Sequence, residues 1–186
     1  MSYQPPSGTR DLLPLDVAQK YWIEERLEEL FQRWGYHRII TSTVESLDTL
    51  MAGGAIAQSS VIQLQGDGPE RLGLRPELTA SIARAAVTRM AQVTYPQRLY
   101  YTANVFNRAP KGSQAAQREY YQAGVELLGT GGILADAEIV QLLLSGIDTL
   151  QLMDWQLILG NAGLTRSLLE PFPDAVRPAV RSAIAQ

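Results

Sequence analysis

The stretches RLYYTANVF (residues 98–106) and YYQAGVE (residues 120–126) decide the fold of this chain. Both are rich in aromatic and β-branched side chains, the composition that favours extended structure. A polar, alanine-bearing loop separates them, so they are predicted to be neighbouring strands. We expect both strands to belong to an antiparallel sheet.

A long amphipathic helix is predicted near the start of the chain. Asp16 is expected to cap this helix, which should run to about Trp34 and end at Gly35. One face is apolar and the other is acidic, and we expect the acidic face to be solvated. The apolar face comprises Ile23, Leu27, Leu30 and Trp34, and the acidic face comprises Glu24, Glu25, Glu28 and Glu29.

The remaining segments alternate between strands and helices. Strands are predicted over residues 36–44, 61–64, 71–74 and 155–160, with a hairpin turn at residues 66–68. Helices are predicted over residues 78–91 and 136–150, residues 50–60 should be irregular, and a last short helix should follow Pro171 and Pro173. Strands that pair with near neighbours, with helices segregated between them, indicate an α+β fold.

Composition excludes several classes of function. The 186 residues are 46% hydrophobic and 19% charged, as in an ordinary soluble globular protein. A net charge of -3 disfavours tight nucleic-acid binding, which usually requires a basic surface. There is no cysteine and only one histidine, His37, so neither a thiolate nor a histidine-rich metal site is expected. With no signal-like start and no run of ~20 apolar residues, a cytoplasmic location is predicted.

The strand at residues 120–126 carries a candidate binding face. Side chains alternate along a strand, so Gln122, Gly124 and Glu126 share one face. An amide and a carboxylate flanking a glycine can accept hydrogen bonds from a cationic ligand, and the glycine leaves room for it. The alternative is the solvated face of an edge strand. The small Ala123 and Val125 on the opposite face, and the apolar flanks of the strand, favour a buried strand whose carboxylate needs a cationic partner.

A second candidate is the segment LRPELT (residues 74–79), which joins a strand to the start of a helix. Binding residues often occupy such junctions. Glu77 can serve a ligand there, or it can simply stabilise the N-terminus of the helix. The sequence pattern does not separate these alternatives.

The loop NRAPKGS (residues 107–113) is a third, weaker candidate. Its two basic residues and its glycine could contact a phosphate. The chain has neither a P-loop nor a dinucleotide-binding glycine pattern, so a mobile surface hairpin is the favoured interpretation.

Four segments, in the same order along the chain, resemble histidyl-tRNA synthetase and its paralogues. They are GTRDLLP (residues 8–14), QRLYY (97–101), QAGVE followed by LLG (122–129) and ADAE (135–138). The resemblance extends from Gly8 to about Gly163. It implies a class II aminoacyl-tRNA-synthetase-like fold, an antiparallel sheet flanked by helices, in a protein that is usually dimeric.

The resemblance also implies roles for the candidate residues. In the synthetase, the positions that match Glu77 and Gln122 hold the α-ammonium of histidine, and the position that matches Glu126 holds the imidazole. Thr79 belongs to the same histidine-binding set. Carboxylate and amide acceptors are what an ammonium group and a ring N–H require.

Three departures from the synthetase pattern distinguish this chain, and the first two concern ATP. Asn107 stands where the synthetase has the arginine that grips the α-phosphate, and Ala109 stands where it has an acid. Arg108 is adjacent, but neighbouring strand residues point to opposite faces. Leu78 replaces a glycine that would allow close approach.

The sequence keeps the histidine-binding groups and has lost the adenylate-forming groups. This combination resembles the synthetase-like regulatory subunits of short-form ATP phosphoribosyltransferase. The run IARAA (residues 82–86) also resembles that subfamily. The resemblance implies a histidine sensor without catalytic residues, metal or cofactor. Its expected partners are histidine, the catalytic subunit of the transferase and a second copy of the chain within a hetero-oligomer, and neither a membrane nor tRNA is expected.

Two other functions stay open, an active histidine–tRNA ligase and a ligand-free dimerisation scaffold. The family's third motif and a later histidine-binding loop are absent from these residues. Residues 1–186 are therefore expected to be one class II synthetase-like core domain that is incomplete.

Overall fold

A computed structural model describes residues 3–66, 68–108 and 117–184. The chain divides after Gln151 into two compact units. The first unit contains, in chain order, α1 (Pro14–Arg33), β1 (His37–Arg38), β2 (Val44–Ser46), α2 (Leu47–Met51), a 3-10 turn (Gln58–Ser60), β3 (Ile62–Leu64), β4 (Leu72–Leu74), α3 (Thr79–Thr88), β5 (Gln97–Phe106), β6 (Glu119–Leu128) and α4 (Ile133–Thr149). The second contains α5 (Ala162–Leu169) and α6 (Arg177–Ile184).

The main sheet has the strand order β1-β5-β6. β5 and β6 pair antiparallel over their whole length, from Gln97 opposite Leu128 to Phe106 opposite Glu119. The two predicted long strands and their antiparallel pairing are therefore confirmed. The short β1 adds a parallel neighbour to β5, and β6 forms the other edge of the sheet among the described strands.

A smaller antiparallel sheet has the order β2-β4-β3. The predicted hairpin is present, because β3 pairs with β4, although Asp67 in its turn lies outside the described residues. The single strand predicted over residues 36–44 is wrong. β1 pairs with β5 whereas β2 pairs with β4, so the chain between them has to pass from one sheet to the other.

The first helix begins earlier than predicted. Leu13 is the N-cap, and Asp16 lies inside the first turn, where its carboxylate accepts a hydrogen bond of 3.0 Å from the Leu13 backbone N–H. Asp16 therefore stabilises the start of the helix without being its cap. The helix ends as expected at Gly35, whose φ of 79° is readily adopted by glycine.

The acidic face of α1 is only partly solvated, which corrects the prediction. Glu28 faces the main sheet, where it accepts a hydrogen bond of 3.1 Å from Thr102 and pairs with Arg38 at 3.2 Å. The helix thus contacts the sheet with polar as well as apolar side chains.

β5 has a hydrophobic cluster on each face. The first cluster contains Leu30, Phe31, Tyr36, Tyr100 and Leu142, and the second contains Leu78, Ile82, Leu99, Tyr101 and Val105. Consecutive residues of β5 therefore point to opposite faces of the sheet. The first cluster lies on the face covered by α1 and α4, and the second lies on the face covered by α3. This arrangement fixes α3 beside the sheet face that carries the candidate ligand-binding groups.

The second unit contains helices but no strand among its described residues. The strand predicted over residues 155–160 is wrong, and Ile158 and Leu159 are 80% and 70% exposed there. A strand needs a hydrogen-bonding neighbour, and this unit supplies none. α5, capped by the side chain of Asn161, was not predicted. None of the described helices has the length and apolar character to cross a membrane.

Candidate ligand-binding site

The candidate groups of β6 lie on the face of the main sheet that packs against α3. β6 places Gln122, Gly124 and Glu126 directly opposite Ala103, Tyr101 and Leu99 of β5. Leu99 and Tyr101 belong to the hydrophobic cluster beside α3. The amide and the carboxylate therefore border a buried apolar layer and also the beginning of a helix.

β6 is less buried than the sequence pattern predicted. None of its residues is fully buried, and Ala123 is exposed. Only Val125, of the two small residues expected in the core, packs against the cluster on the α1 side. The reason is that β6 is an edge strand among the described residues. Glu126 is consequently half-buried.

The space above Gly124 is occupied by the ring of Tyr101, whereas we expected it to be free for a ligand. A Cβ atom at Gly124 would lie 2.5 Å from Tyr101 Oη and 2.7 Å from Cζ. The Gln122 side-chain amide donates a hydrogen bond of 3.1 Å to Tyr101 Oη. Gly124 thus makes room for a tyrosine hydroxyl between the two polar residues, a role that only the strand register reveals.

Thr79, the first residue of α3, is in direct contact with β6. Its hydroxyl donates a hydrogen bond of 2.7 Å to Glu126 Oε1. The two residues are 47 positions apart in the sequence, so periodicity gives no sign of the contact. This bond joins the helix segment and the strand segment into one site.

Glu77 supports the start of α3. Its Oε2 accepts a hydrogen bond of 2.6 Å from the Thr79 backbone N–H, and its Oε1 accepts one of 2.9 Å from that of Ala80. The structural alternative considered for Glu77 is therefore realised, since these two N–H groups have no partner within the helix. Each carboxylate oxygen keeps a second lone pair, so this role is compatible with binding a cation.

The site concentrates negative charge. Burial raises the pKa of Glu126 above its ordinary value, the hydrogen bond from Thr79 lowers it, and the nearby charge of Glu77 raises it. Burial also raises the pKa of Tyr101, and the charges of Glu126 and then Glu77 add to this shift. Within the described part of the chain, no Lys, Arg or His forms an ion pair with either carboxylate.

Leu78 does not stand over the site. Its side chain is 1% exposed and packs in the cluster formed by Ile82, Leu99, Tyr101 and Val105. The replacement of a glycine by leucine therefore strengthens the junction of α3 with the sheet and leaves the polar groups accessible.

Asn107 continues β5 beyond its last paired residue, because its backbone N–H donates to the Arg118 carbonyl at 2.8 Å. By alternation from Tyr101, Asn107 lies on the same sheet face as the acceptor groups, and Arg108 lies on the opposite face. Arg108 is exposed, and its backbone N–H donates to the Ser60 carbonyl. Ala109 and the rest of the loop up to residue 113 lie outside the described residues.

A buried arginine behind the site was not anticipated. Arg75 is 5% exposed and donates hydrogen bonds to the carbonyls of Asn104, Thr41 and Ser42. Burial lowers its pKa. The guanidinium ties β5 to the segment between β1 and β2, and so fixes the backbone next to Glu77. The only indication in the sequence that Arg75 belongs near the site was its position within the LRPE run (residues 74–77).

The arrangement can bind a small cation rich in N–H donors. It offers two carboxylates, an amide oxygen and two hydroxyl groups on one face of β6 and at the adjoining start of α3. Nowhere in the described ranges do three or more carboxylate or imidazole side chains meet, so these residues offer no cluster for a metal ion.

The chain is similar to known proteins over its whole length. The family model for histidyl-tRNA synthetase matches residues 8–186. The chain is 64% identical over 185 residues to the ATP phosphoribosyltransferase regulatory subunit of Nostoc sp. and 63% identical to that of Picosynechococcus sp.. In both cases the match covers 100% of this chain and 46% of the relative, so the chain spans about half the length of these relatives.

Two solved structures are similar in fold to this chain. A crystal structure from Bacillus halodurans, described as an ATP phosphoribosyltransferase regulatory subunit/histidyl-tRNA synthetase, matches with a TM-score of 0.76 and 32% identity. The match covers 83% of this chain and 40% of that one. Histidyl-tRNA synthetase of Nostoc sp. matches with a TM-score of 0.66 but only 21% identity, over 79% of this chain and 34% of that one.

The fold prediction is therefore confirmed, an α+β class II synthetase-like sheet flanked by helices. The sequence identity of this chain to the Nostoc sp. regulatory subunit is 64%, whereas its identity to the Nostoc sp. synthetase is 21%. Matched by the family model over almost its whole length, the chain belongs to the histidyl-tRNA synthetase family.

Proposed function

We propose that this chain is the ligand-sensing part of a regulatory subunit of ATP phosphoribosyltransferase, which binds histidine and controls a separate catalytic subunit. The names of the relatives at 64% and 63% identity support the regulatory role. Because the chain spans 46% of their length, the activity of the whole protein is part of the proposal.

One observation carries the choice of ligand. Glu77 and Glu126 share a site, and neither forms an ion pair within the described residues. Two nearby carboxylates without a cation repel each other and are costly to desolvate. A ligand with an ammonium group and a ring N–H supplies the missing positive charge, and histidine has both.

The proposed contacts are those that the resemblance to the synthetase family implies for these acceptors. Glu77, Thr79 and Gln122 hold the α-ammonium, and Glu126 accepts a hydrogen bond from the imidazole. Tyr101 positions the Gln122 amide through their mutual hydrogen bond. The Gln122 carbonyl oxygen then stays available as an acceptor for the ligand.

The proposal excludes catalysis of aminoacylation. Asn107 lies on the same sheet face as the acceptor groups, where the synthetase presents an arginine to the α-phosphate. An amide has no charge to offer a phosphate, and Arg108 lies on the opposite face. We therefore propose a binding protein in the cytoplasm that uses neither cofactor nor tRNA.

The partners are a catalytic transferase subunit and a second copy of the chain. Affinity purification of the tagged full-length protein from its own cells, followed by mass spectrometry, tests this part. Recovery of a transferase subunit in stoichiometric amounts supports the proposal. A protein that is purified without it, and that does not alter transferase activity when mixed with it, is not the regulatory subunit.

Calorimetric titration of the full-length protein tests the ligand. Histidine is compared with imidazole propionate, which keeps the ring and the carboxylate but lacks the ammonium group. We expect histidine to bind at least about tenfold more tightly, since each charged hydrogen bond is worth roughly 1.5–3 kcal/mol. Equal affinities would remove the ammonium from the proposed mode of binding. If saturating histidine does not raise the Tm, the scaffold alternative is preferred.

A further inference from the structure

An apolar groove runs along α3 on the side of α2. Its volume is about 680 Å³, which lies within the range of pockets that bind small organic molecules. Residues 49–56 form one wall, and Ala80, Ala83, Arg84 and Val87 form the other. Glu77 and Thr79 lie at one end. Most of the lining side chains are small, and so leave the space between the two elements unfilled.

Arg84 is the one lining residue of the groove that carries a positive charge. Its Nε donates a hydrogen bond of 2.8 Å to Oε2 of Glu45, a residue of β2 that is 9% exposed. The other carboxylate oxygen of Glu45 accepts from the Ser46 backbone N–H. Glu45 therefore orients the guanidinium through a single bond.

The two terminal nitrogens of Arg84 form no hydrogen bond with any residue in the ranges that the structure describes. The side chain is 34% exposed, so these donors are reachable. A guanidinium presents paired N–H groups that match a carboxylate, sulfonate or phosphate. An apolar groove with one oriented cation is suited to a molecule with an apolar body and one anionic group.

We propose that this groove is a second ligand site for a small amphipathic anion, next to the site on β6, with which it shares Glu77 and Thr79 at one end. The apolar body lies between residues 49–56 and the alanines of α3, and the anionic group bonds to Arg84. The anionic end lies away from Glu77, because Arg84 is five residues, or about 7.5 Å of helix at 1.5 Å per residue, beyond Thr79, where α3 begins. The lining surface of the groove is far smaller than the ~800 Å² per partner that a stable protein interface needs, which favours a small molecule as the ligand.

Two fluorescent probes test the proposal on the full-length protein. 1-Anilinonaphthalene-8-sulfonate carries an apolar body and an anion, and N-phenyl-1-naphthylamine has the same body without the charge. We expect the sulfonate to bind at least about tenfold more tightly, the contribution of one charged hydrogen bond. Arg84→Gln should remove this difference and leave the affinity for the neutral probe unchanged. Arg89→Gln, at the C-cap of the same helix but outside the groove, should behave as the wild type.

Three further variants keep the proposal testable if Arg84→Gln weakens the fold by leaving Glu45 without its partner. Ala83→Phe fills the groove and should weaken both probes. Val87→Asp places a negative charge one turn from Arg84 and should weaken only the sulfonate, whereas Val87→Lys should strengthen it.

Sulfonate binding that survives Arg84→Gln and Ala83→Phe overturns the proposal. So does a full-length protein that excludes both probes, because another segment or a partner protein then covers the groove. Histidine binding is measured in parallel as the separate readout of the site on β6, whose acceptor groups do not include Arg84.

Discussion

Replacing Glu126 by glutamine separates binding from stability. Glutamine keeps the size of the side chain and its ability to accept the hydrogen bond from Thr79, and it removes only the negative charge. Histidine should then lose a charge-assisted hydrogen bond to its imidazole. Such a bond is worth about 1.5–3 kcal/mol, so the Kd should rise by roughly 10- to 150-fold.

The same substitution should leave the ligand-free protein as stable as before, or more stable. Burial and the charge of Glu77 raise the pKa of Glu126, so the folded state binds a proton more tightly than the unfolded state. Stability therefore decreases as pH rises from the ordinary glutamate pKa through the raised one, and the full penalty is present above it. Glutamine removes this penalty, and the Tm at pH 7.5 should be equal or higher.

Calorimetric titration with histidine and a thermal melt without ligand measure the two quantities on the full-length protein. Glu119→Gln is the matched control, because Glu119 is on the same strand but pairs with Asn104 on the other face. Its Kd for histidine should change by less than about twofold, as for substitutions away from the site. A Glu126→Gln protein that binds histidine like the wild type would refute the assignment of the imidazole to this carboxylate. A lower Tm with retained binding would indicate a purely structural role.

Three other outcomes follow from the structure. Gly124→Ala places a Cβ 2.5 Å from Tyr101 Oη, so it should displace the ring, destabilise the protein by about 1–3 kcal/mol in chemical denaturation, and weaken histidine binding. Arg98 bonds to Glu138 and holds the pKa of that carboxyl below its ordinary value. The stabilisation from this ion pair is therefore complete above the pKa of Glu138 in the unfolded chain and is lost as pH falls through its pKa in the folded protein. Arg98→Met should lower the Tm at pH 7 more than at pH 3. If Asn107 stands at the phosphate position as we propose, histidine-dependent ATP–pyrophosphate exchange should be about 10²–10³ below that of an active synthetase, and near-normal exchange would favour the ligase alternative.

The pairing of the main sheet could be predicted because it depends on local pattern. The long strands β5 and β6 are dense in aromatic and β-branched residues, and their alternation fixes which residues share a face. The placement of Gln122 and Glu126 on one face follows directly. The strand predicted over residues 155–160 has a similar pattern and still failed, because a strand also needs a neighbour, and sequence pattern cannot supply one.

The details of the site depend on contacts between distant segments. The bond from Thr79 to Glu126 requires the position of α3 relative to the sheet, which is set by Leu78 and Ile82 packing against β5. The ring of Tyr101 over Gly124 depends on the register of β5 with β6. Neither contact has a signature in local sequence, so the sequence identified the polar groups but not what holds them.

The hydrogen bonds of Glu77 and Thr79 connect the proposed ligand site to the start of α3. Glu77 already accepts the first two backbone N–H groups of α3, and the Thr79 hydroxyl is already bonded to Glu126. An ammonium group that binds Glu77 and Thr79 must share or replace these bonds, so binding changes the interactions that hold the N-terminus of α3. A ligand shifts a conformational equilibrium only by its difference in affinity for the two states. In the sensor that we propose, that difference arises where α3 begins.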